Sequence, residues 1–191
     1  MIFITLEGID NGGKTTLAKK LYEDLKQRKV NVYNTRELIE TDAGKIVLNA
    51  FRDKKELTPE QKTLYFALDR QIRYEKIVKE DYDVVIWDRY IYSSFVYREM
   101  EKCDINWVKR VNAIFKKPDL NLYVDVNIDT AMKRALENKR VLPYTKEQLI
   151  ECKNIYLRYV EDGELTKYCH SDNEYEALVD KILEAIKNER K

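Results

Sequence analysis

The run Gly8-Ile9-Asp10-Asn11-Gly12-Gly13-Lys14-Thr15-Thr16 matches the pattern G-x-x-x-x-G-K-[ST]. That pattern describes a loop whose backbone N–H groups cradle nucleotide phosphates, whose lysine reaches the β/γ-phosphates and whose hydroxyl serves Mg²⁺. The flanks supply the context it requires. Met1-Ile2-Phe3-Ile4-Thr5-Leu6 is a short apolar run with β-branched residues, and Leu17, Ala18, Leu21, Tyr22 and Leu25 recur at helical spacing. The order is strand, glycine loop, helix N-terminus, which presents amides and a helix dipole to an anion. Three of the chain's 5 glycines stand here, where backbone wrapping a phosphate must do without Cβ.

Outward from this loop, strands and helices alternate. Val30 to Asn34 reads as a second strand that ends in Thr35-Arg36-Glu37, and a short helix follows around Lys45 to Phe51. Thr58-Pro59-Glu60-Gln61 combines an N-cap, a proline at the first helical position and a glutamine at the third. The helix it opens runs to about Glu80, with Leu64, Leu68 and Ile72 as its core stripe. Asp83 to Trp87 is a buried-type strand ending at Asp88-Arg89-Tyr90, and helical segments then reach about Lys117. Leu120 to Val126 is another apolar strand, Asp129 caps the next helix, and Thr145-x-x-Gln148 opens one that ends at Gly163. Thr166 to His170 forms a fifth strand, and a last helix starts at Asn173 with Glu176 three residues on. This rhythm predicts an α/β fold, a parallel sheet with helices on both faces. No linker or repeat divides residues 1–191, which read as a single domain.

Composition narrows the classes of function. The 35 Lys+Arg and 34 Asp+Glu nearly cancel, so no electrostatic footprint for nucleic acid or a membrane surface emerges. Cys103, Cys152 and Cys169 are odd in number and lack C-x-x-C spacing, which fits a reducing compartment better than a disulfide framework or a zinc site. With no leader before the first strand and no apolar run of spanning length, a cytoplasmic location is expected. His170 is the chain's lone histidine, so no histidine-based triad can form, and a structural or surface role is expected for it.

Several side chains outside the loop have the chemistry to act with it. Phe66 and Arg70, four apart with Arg73 beside them, turn away from the leucine stripe. They suit a flat ring that needs stacking and a hydrogen bond, or else a second apolar seam formed with Ile77. Asp88, at the end of a strand, is the usual type of carboxylate behind Mg²⁺, and Arg89 can grip a second phosphate. Asp125 is a rival Mg²⁺-side carboxylate or a structural aspartate. Phosphoryl transfer between two polyanions needs cations at several strand ends, and Arg36, Arg70, Arg89 and Lys139-Arg140 are so distributed.

Gly8-x-Asp10-x-x-Gly13-Lys14-Thr15-Thr16, Thr35-Arg36-Glu37, Phe66-x-x-x-Arg70, Asp88-Arg89-Tyr90 with Ser93-Ser94, and Pro118-Asp119-Leu120-x-Leu122-Tyr123-x-Asp125-Val126 follow in order. In this the chain resembles the thymidylate kinases, from residue 1 to about 134 and more loosely to Tyr156. The resemblance implies a three-layer P-loop NTPase fold of the nucleoside monophosphate kinase type, with a five-stranded parallel sheet. It also implies transfer of the γ-phosphate of ATP to dTMP, with Mg²⁺, in a homodimer. By the same resemblance Phe66 stacks on thymine, Arg70 bonds its exocyclic oxygen and Ser94 lies near the base. Arg89 holds the acceptor phosphate, Tyr97 crowds a ribose 2′-OH, Asp10 lies between sugar and transferring group, and Arg134 stacks against adenine.

The chain also departs from the pattern. Arg36-Glu37-Leu38-Ile39 replaces the R-E-P-G of many relatives. No arginine stands among Ile9, Asp10, Asn11 and Gly12, so the charge that stabilises transfer is expected from a lid at about 138–146, Arg140 before Lys139. Lys153 stands where relatives often carry arginine, a point charge in place of a bidentate fork. No general base is demanded, because a phosphate monoester with a second pKa of about 6 is largely deprotonated at neutral pH. The rival expectation is a related kinase acting on UMP, CMP or a deoxynucleoside, the last of which has a hydroxyl that would need Asp88 or Asp10 as base. A GTPase-type switch is disfavoured: Asn138-Lys139-Arg140-Val141 ends in valine where N-K-x-D needs an acid.

Overall fold

The computed structural model describes residues 1–38, 41–53, 55–138 and 144–189. A five-stranded parallel sheet in the order β2-β3-β1-β4-β5 is built from β1 (Ile2–Glu7), β2 (Val32–Arg36), β3 (Val84–Asp88), β4 (Leu120–Val124) and β5 (Thr166–Tyr168). The register sets Leu6 beside Asp88 on one side and beside Leu122 on the other. Interleaved with the strands run α1 (Lys14–Gln27), α2 (Asp42–Arg52), α3 (Pro59–Ile77), α4 (Ile91–Met100), α5 (Ile105–Asn112), α6 (Ile128–Glu137), α7 (Lys146–Glu161) and α8 (Asp172–Glu189).

The chain forms two compact units, the first of Met1–Thr35, Asp81–Asp88 and Pro118–Lys191, the second of Arg36–Glu80 and Arg89–Lys117. In the first, strand periodicity sorts the core. Ile2, Ile4 and Leu6 of β1 join Val84, Ile86, Leu122 and Val124 in one cluster with Leu17, Leu21 and Leu25 of α1 and Leu178, Val179 and Ile182 of α8. Residues of the other parity face away from it: Phe3 meets Trp87 edge-on, and Tyr123 stacks on Tyr156 of α7 at 5.1 Å. α1 and α8 thus cover one face and α7 the other, which keeps strand ends free to carry polar groups.

The second unit is helical. α3 packs with α2, α4 and α5. Thr58 accepts from Gln61 N while Gln61 accepts from Thr58 N, the reciprocal cap that its sequence predicts. The predicted core stripe of α3 is a misreading, however. Leu64 and Leu68 are 54% and 51% exposed, and the buried face is Thr63, Asp69, Arg70, Arg73 and Ile77. Three ion-pairing side chains are buried because they satisfy one another and their loops, which apolar periodicity cannot reveal.

α6 is capped by Asn127, whose side chain accepts from Asp129 N and Thr130 N, and Asp129 lies inside the helix. β5 stops at Tyr168, so His170 is in the following loop. α8 opens at Asp172, and the paired residues at its start are Ser171 and Glu174, not Asn173 and Glu176. Lys139 and Arg140, the lid candidates, lie outside the described residues.

Candidate active site

The glycine loop joins β1 to α1 with its backbone tightly constrained. Gly8 has φ +145, and a Cβ there would stand 2.8 Å from the Val124 carbonyl oxygen. Gly13, at φ 95, is the N-cap of α1 and offers no side-chain acceptor, and the first turn holds no acid. A helix start with no capping side chain and no acid of its own is suited to an outside anion. Asn11 takes a left-handed φ of 58, and Gly12 N reaches Ile9 O at 3.3 Å to close the turn. Asp10 is half-buried in this loop.

Lys14 is buried, and its ammonium donates to Ile9 O at 2.6 Å, so it folds back along the loop. Thr15 is exposed at the helix start, and its hydroxyl donates to Asp88 Oδ2 at 2.5 Å. The contact follows from register, since Asp88 lies opposite Leu6 at the carboxyl end of β3. A hydroxyl backed by a buried carboxylate is a hard-oxygen pair of the kind that holds Mg²⁺ together with substrate phosphates. No group of three or more His, Cys, Asp or Glu that could hold a metal by themselves occurs among the described residues.

A cleft of about 490 Å³ opens over this loop, lined by Gly13, Lys14, Thr15, Thr16 and Arg134 among others. Arg134 Nη1 donates to Asn11 O at 3.2 Å, tying α6 to the loop. Lys20, Asn138, Tyr168 and His170 also line the cleft, and the sequence marked none of them as site residues. Asp125 stands apart: Lys153 at 2.7 Å and Lys167 at 3.0 Å bind it, and Tyr123 donates to it at 3.0 Å. Burial pushes its carboxyl up, but these hydrogen bonds outweigh that and hold it below the usual range. Burial, with Asp125 next, raises the Tyr123 hydroxyl. Of the two expectations for Asp125, the structural one matches these partners. Lys153 also donates to Val126 O at 2.8 Å, so its lysine head braces the end of β4.

In the helical unit, Arg70 is fully buried. Its Nε donates to Glu37 Oε1 at 2.9 Å and Nη2 reaches the same carboxylate, while Nη1 donates to Asn112 Oδ1. Nη2 also meets Ser94 Oγ at 3.1 Å and Tyr90 O at 3.2 Å. Asp69 accepts from Arg73 Nε at 3.0 Å and from Leu38 N at 3.0 Å, which fastens the turn after β2. Phe66 is half-buried, with Arg98 over its ring at 5.9 Å. Arg89 has φ 68, a left-handed conformation unusual for a long side chain. Its guanidinium donates to Ser93 Oγ at 3.1 Å and to Tyr97 OH at 3.4 Å, and it lies over the Tyr97 ring. Arg36 is exposed at the end of β2. Arg70 with Ser94, and Arg89 with Tyr97, are thus brought together along α4. Glu37 and Asn112 complete the first pair; Asn112 had no signal in the sequence, because α5 meets α3 only in the fold.

The family model described as thymidylate kinase matches residues 6–182. A probable thymidylate kinase of Sulfurisphaera tokodaii is 30% identical over 186 residues, covering 96% of this chain and 95% of that protein. One of Methanocaldococcus jannaschii is 34% identical over 194 aligned positions, covering 98% and 93%. A probable thymidylate kinase 1 of Saccharolobus solfataricus is 35% identical over 174, covering 86% and 89%.

Proposed function

Because this chain belongs to the thymidylate kinase family of phosphate-transferring enzymes, we propose that it moves the γ-phosphate of ATP to dTMP, yielding ADP and dTDP. The observation that carries the reading is the dipeptide Asp88-Arg89. Asp88 backs the hydroxyl of Thr15 in the phosphate-loop unit. Arg89, the next residue, is held in a left-handed conformation among Ser93 and Tyr97 of the helical unit. One covalent link therefore separates a group serving the donor from a guanidinium suited to an acceptor phosphate.

In this reading the loop amides and Lys14 hold the triphosphate, and Arg134 packs on the donor base. Phe66 stacks on thymine, Arg70 and Ser94 take its polar edge, and Arg36 and Arg89 hold the acceptor phosphate. Tyr97 excludes a 2′-OH, Asp10 lies near the sugar, and Arg140 supplies charge to the group in flight. Mg²⁺, held through Thr15 with Asp88 behind it, would neutralise charge on the transferring phosphates. Alignment and charge cancellation then supply the rate, and no side chain need take a proton from an acceptor already ionised.

We assign the enzyme to the cytoplasm as a homodimer built on α3, where Leu64 and Leu68 expose apolar surface one turn apart. No helix among the described residues is long and apolar enough to cross a membrane. Sedimentation of a Leu64→Glu/Leu68→Glu variant at half the wild-type mass is the expected result, and an unchanged mass removes this face from the dimer. The reaction is tested by coupled ADP release with dTMP, dUMP, UMP, CMP, AMP and thymidine in turn. Fastest turnover with dTMP is expected; activity on thymidine alone overturns the acceptor assignment.

A further inference from the structure

We propose that His170, the only histidine of the chain, is a donor-binding residue whose imidazole forms one wall of the phosphate-loop cleft and packs against the bound adenine nucleotide. The inference rests on the reading of this cleft as the ATP site. Its first support is proximity. A Cβ on Gly13 would lie 3.0 Å from His170 Cε1 and 3.6 Å from its Nε2, with Arg134 Nη1 also at 3.6 Å. The imidazole and the guanidinium therefore converge on Gly13, the loop glycine at the N-terminus of α1. A Cβ at position 13 would crowd the imidazole, whereas it would meet Arg134 at ordinary contact distance.

The second support is the way the backbone holds this ring. The Glu174 carboxylate accepts from Cys169 N at 3.1 Å, from Ser171 N at 3.1 Å and from Ser171 Oγ at 2.9 Å. Glu174 N in turn donates to Ser171 Oγ at 3.2 Å. The residues on either side of His170 are thus pinned, and His170 between them takes φ 66. A non-glycine residue in that region persists only where its surroundings impose it. Tyr168, at the end of β5, meets the imidazole edge-on at 5.3 Å and fixes its tilt. Neither Cys169 nor His170 is buried, so the conformation does not serve the core. What it does is hold an aromatic ring with two polar nitrogens over a phosphate loop. Glu174 is the positioning residue for that ring.

A single histidine makes the test direct. Tag-free protein labelled at histidine carbon and nitrogen has one imidazole resonance pair, followed by NMR while a non-hydrolysable ATP analogue, ADP, tripolyphosphate or dTMP is added. The His170 signals should move with the analogue and with ADP, and stay in place with dTMP alone. Calorimetry should show His170→Ala weakening the analogue about fivefold, the size of one aromatic or cationic contact, with dTMP affinity unchanged. Glu174→Gln should weaken the analogue in the same direction and by less. Unchanged affinity for the analogue in His170→Ala overturns the proposal, even if the resonance moves. Movement with tripolyphosphate alone assigns the contact to the phosphates, whereas movement that requires ADP or the analogue assigns it to the nucleoside. Wild-type protein that binds no ATP analogue overturns both this proposal and the function above. Protein that binds the analogue but does not phosphorylate dTMP overturns only the function.

Discussion

Lys14 and Arg89 are set in their environments by different means, and single substitutions should separate them from stability. Lys14 is buried along its own loop and donates to a carbonyl, and Arg89 sits in a left-handed backbone and donates to the hydroxyls of Ser93 and Tyr97. Lys14→Ala and Arg89→Ala should each lower kcat by on the order of 10²-fold or more, the scale of losing one charged group that faces the transferring phosphate. Thermal denaturation should stay near wild type. A near-normal steady-state rate in either variant removes that residue from the mechanism. Arg70 should behave differently, because its guanidinium neutralises Glu37 with both side chains almost wholly out of water. Arg70→Ala leaves that carboxylate buried without its partner, and urea denaturation should show a loss of about 3–5 kcal/mol. The double variant Arg70→Met/Glu37→Leu should regain most of this loss while still failing to bind dTMP tightly. Parity of the single and double variants in urea would mean that the ion pair carries no such linkage.

At the scale of elements, helix starts give the sharpest contrast between what the sequence displays and what it hides. Thr145 and Thr58 stand three residues before a glutamine, and both form the reciprocal cap their spacing announces. Asp129 has equally good chemistry for a cap, but Asn127 precedes it, and Asn127 is the residue that accepts from the first turn. Asn127→Ala should therefore cost about 1 kcal/mol in chemical denaturation, and Asp129→Ala clearly less. The reverse order would restore Asp129 as the cap. Apolar periodicity read the strands well because β1, β3 and β4 are buried on both faces and carry continuous apolar runs. It failed on α3, where Asp69, Arg70 and Arg73 face inward and Leu64 and Leu68 face out. Hydropathy cannot foresee that inversion, because the buried charges are tolerated through one another, as Arg73 on Asp69, and through partners from distant segments: Glu37, Asn112, Thr41. The phosphate loop was legible because its function lies in local backbone, three glycines before a lysine. His170 was not, because its position depends on a left-handed turn and on Glu174, four residues later.

The whole molecule divides its candidate site residues between two units, and that division makes a prediction about how ligands stabilise it. Residues 8–16, Asp88, Arg134 and the loop after β5 fall in one compact unit; Phe66, Arg70, Arg89, Ser94 and Tyr97 fall in the other. A ligand that binds the native state shifts opening equilibria only for structure that must open to release it. At 100 times its dissociation constant the gain is about 2.7 kcal/mol, which slows exchange at such amides by about 100-fold. In amide exchange read by mass spectrometry, an ATP analogue should protect peptides covering 8–16 and 166–171, with little change over 59–77. Adding dTMP alone should protect 59–77 and 89–100, with little change over 8–16. Protection of the phosphate loop by dTMP without protection of α3 and α4 would mean that Phe66, Arg70 and Arg89 do not receive the acceptor. The buried Arg70 cluster would then be a structural ion-pair network of the helical unit, and the polar edge of thymine would have to be recognised by other residues.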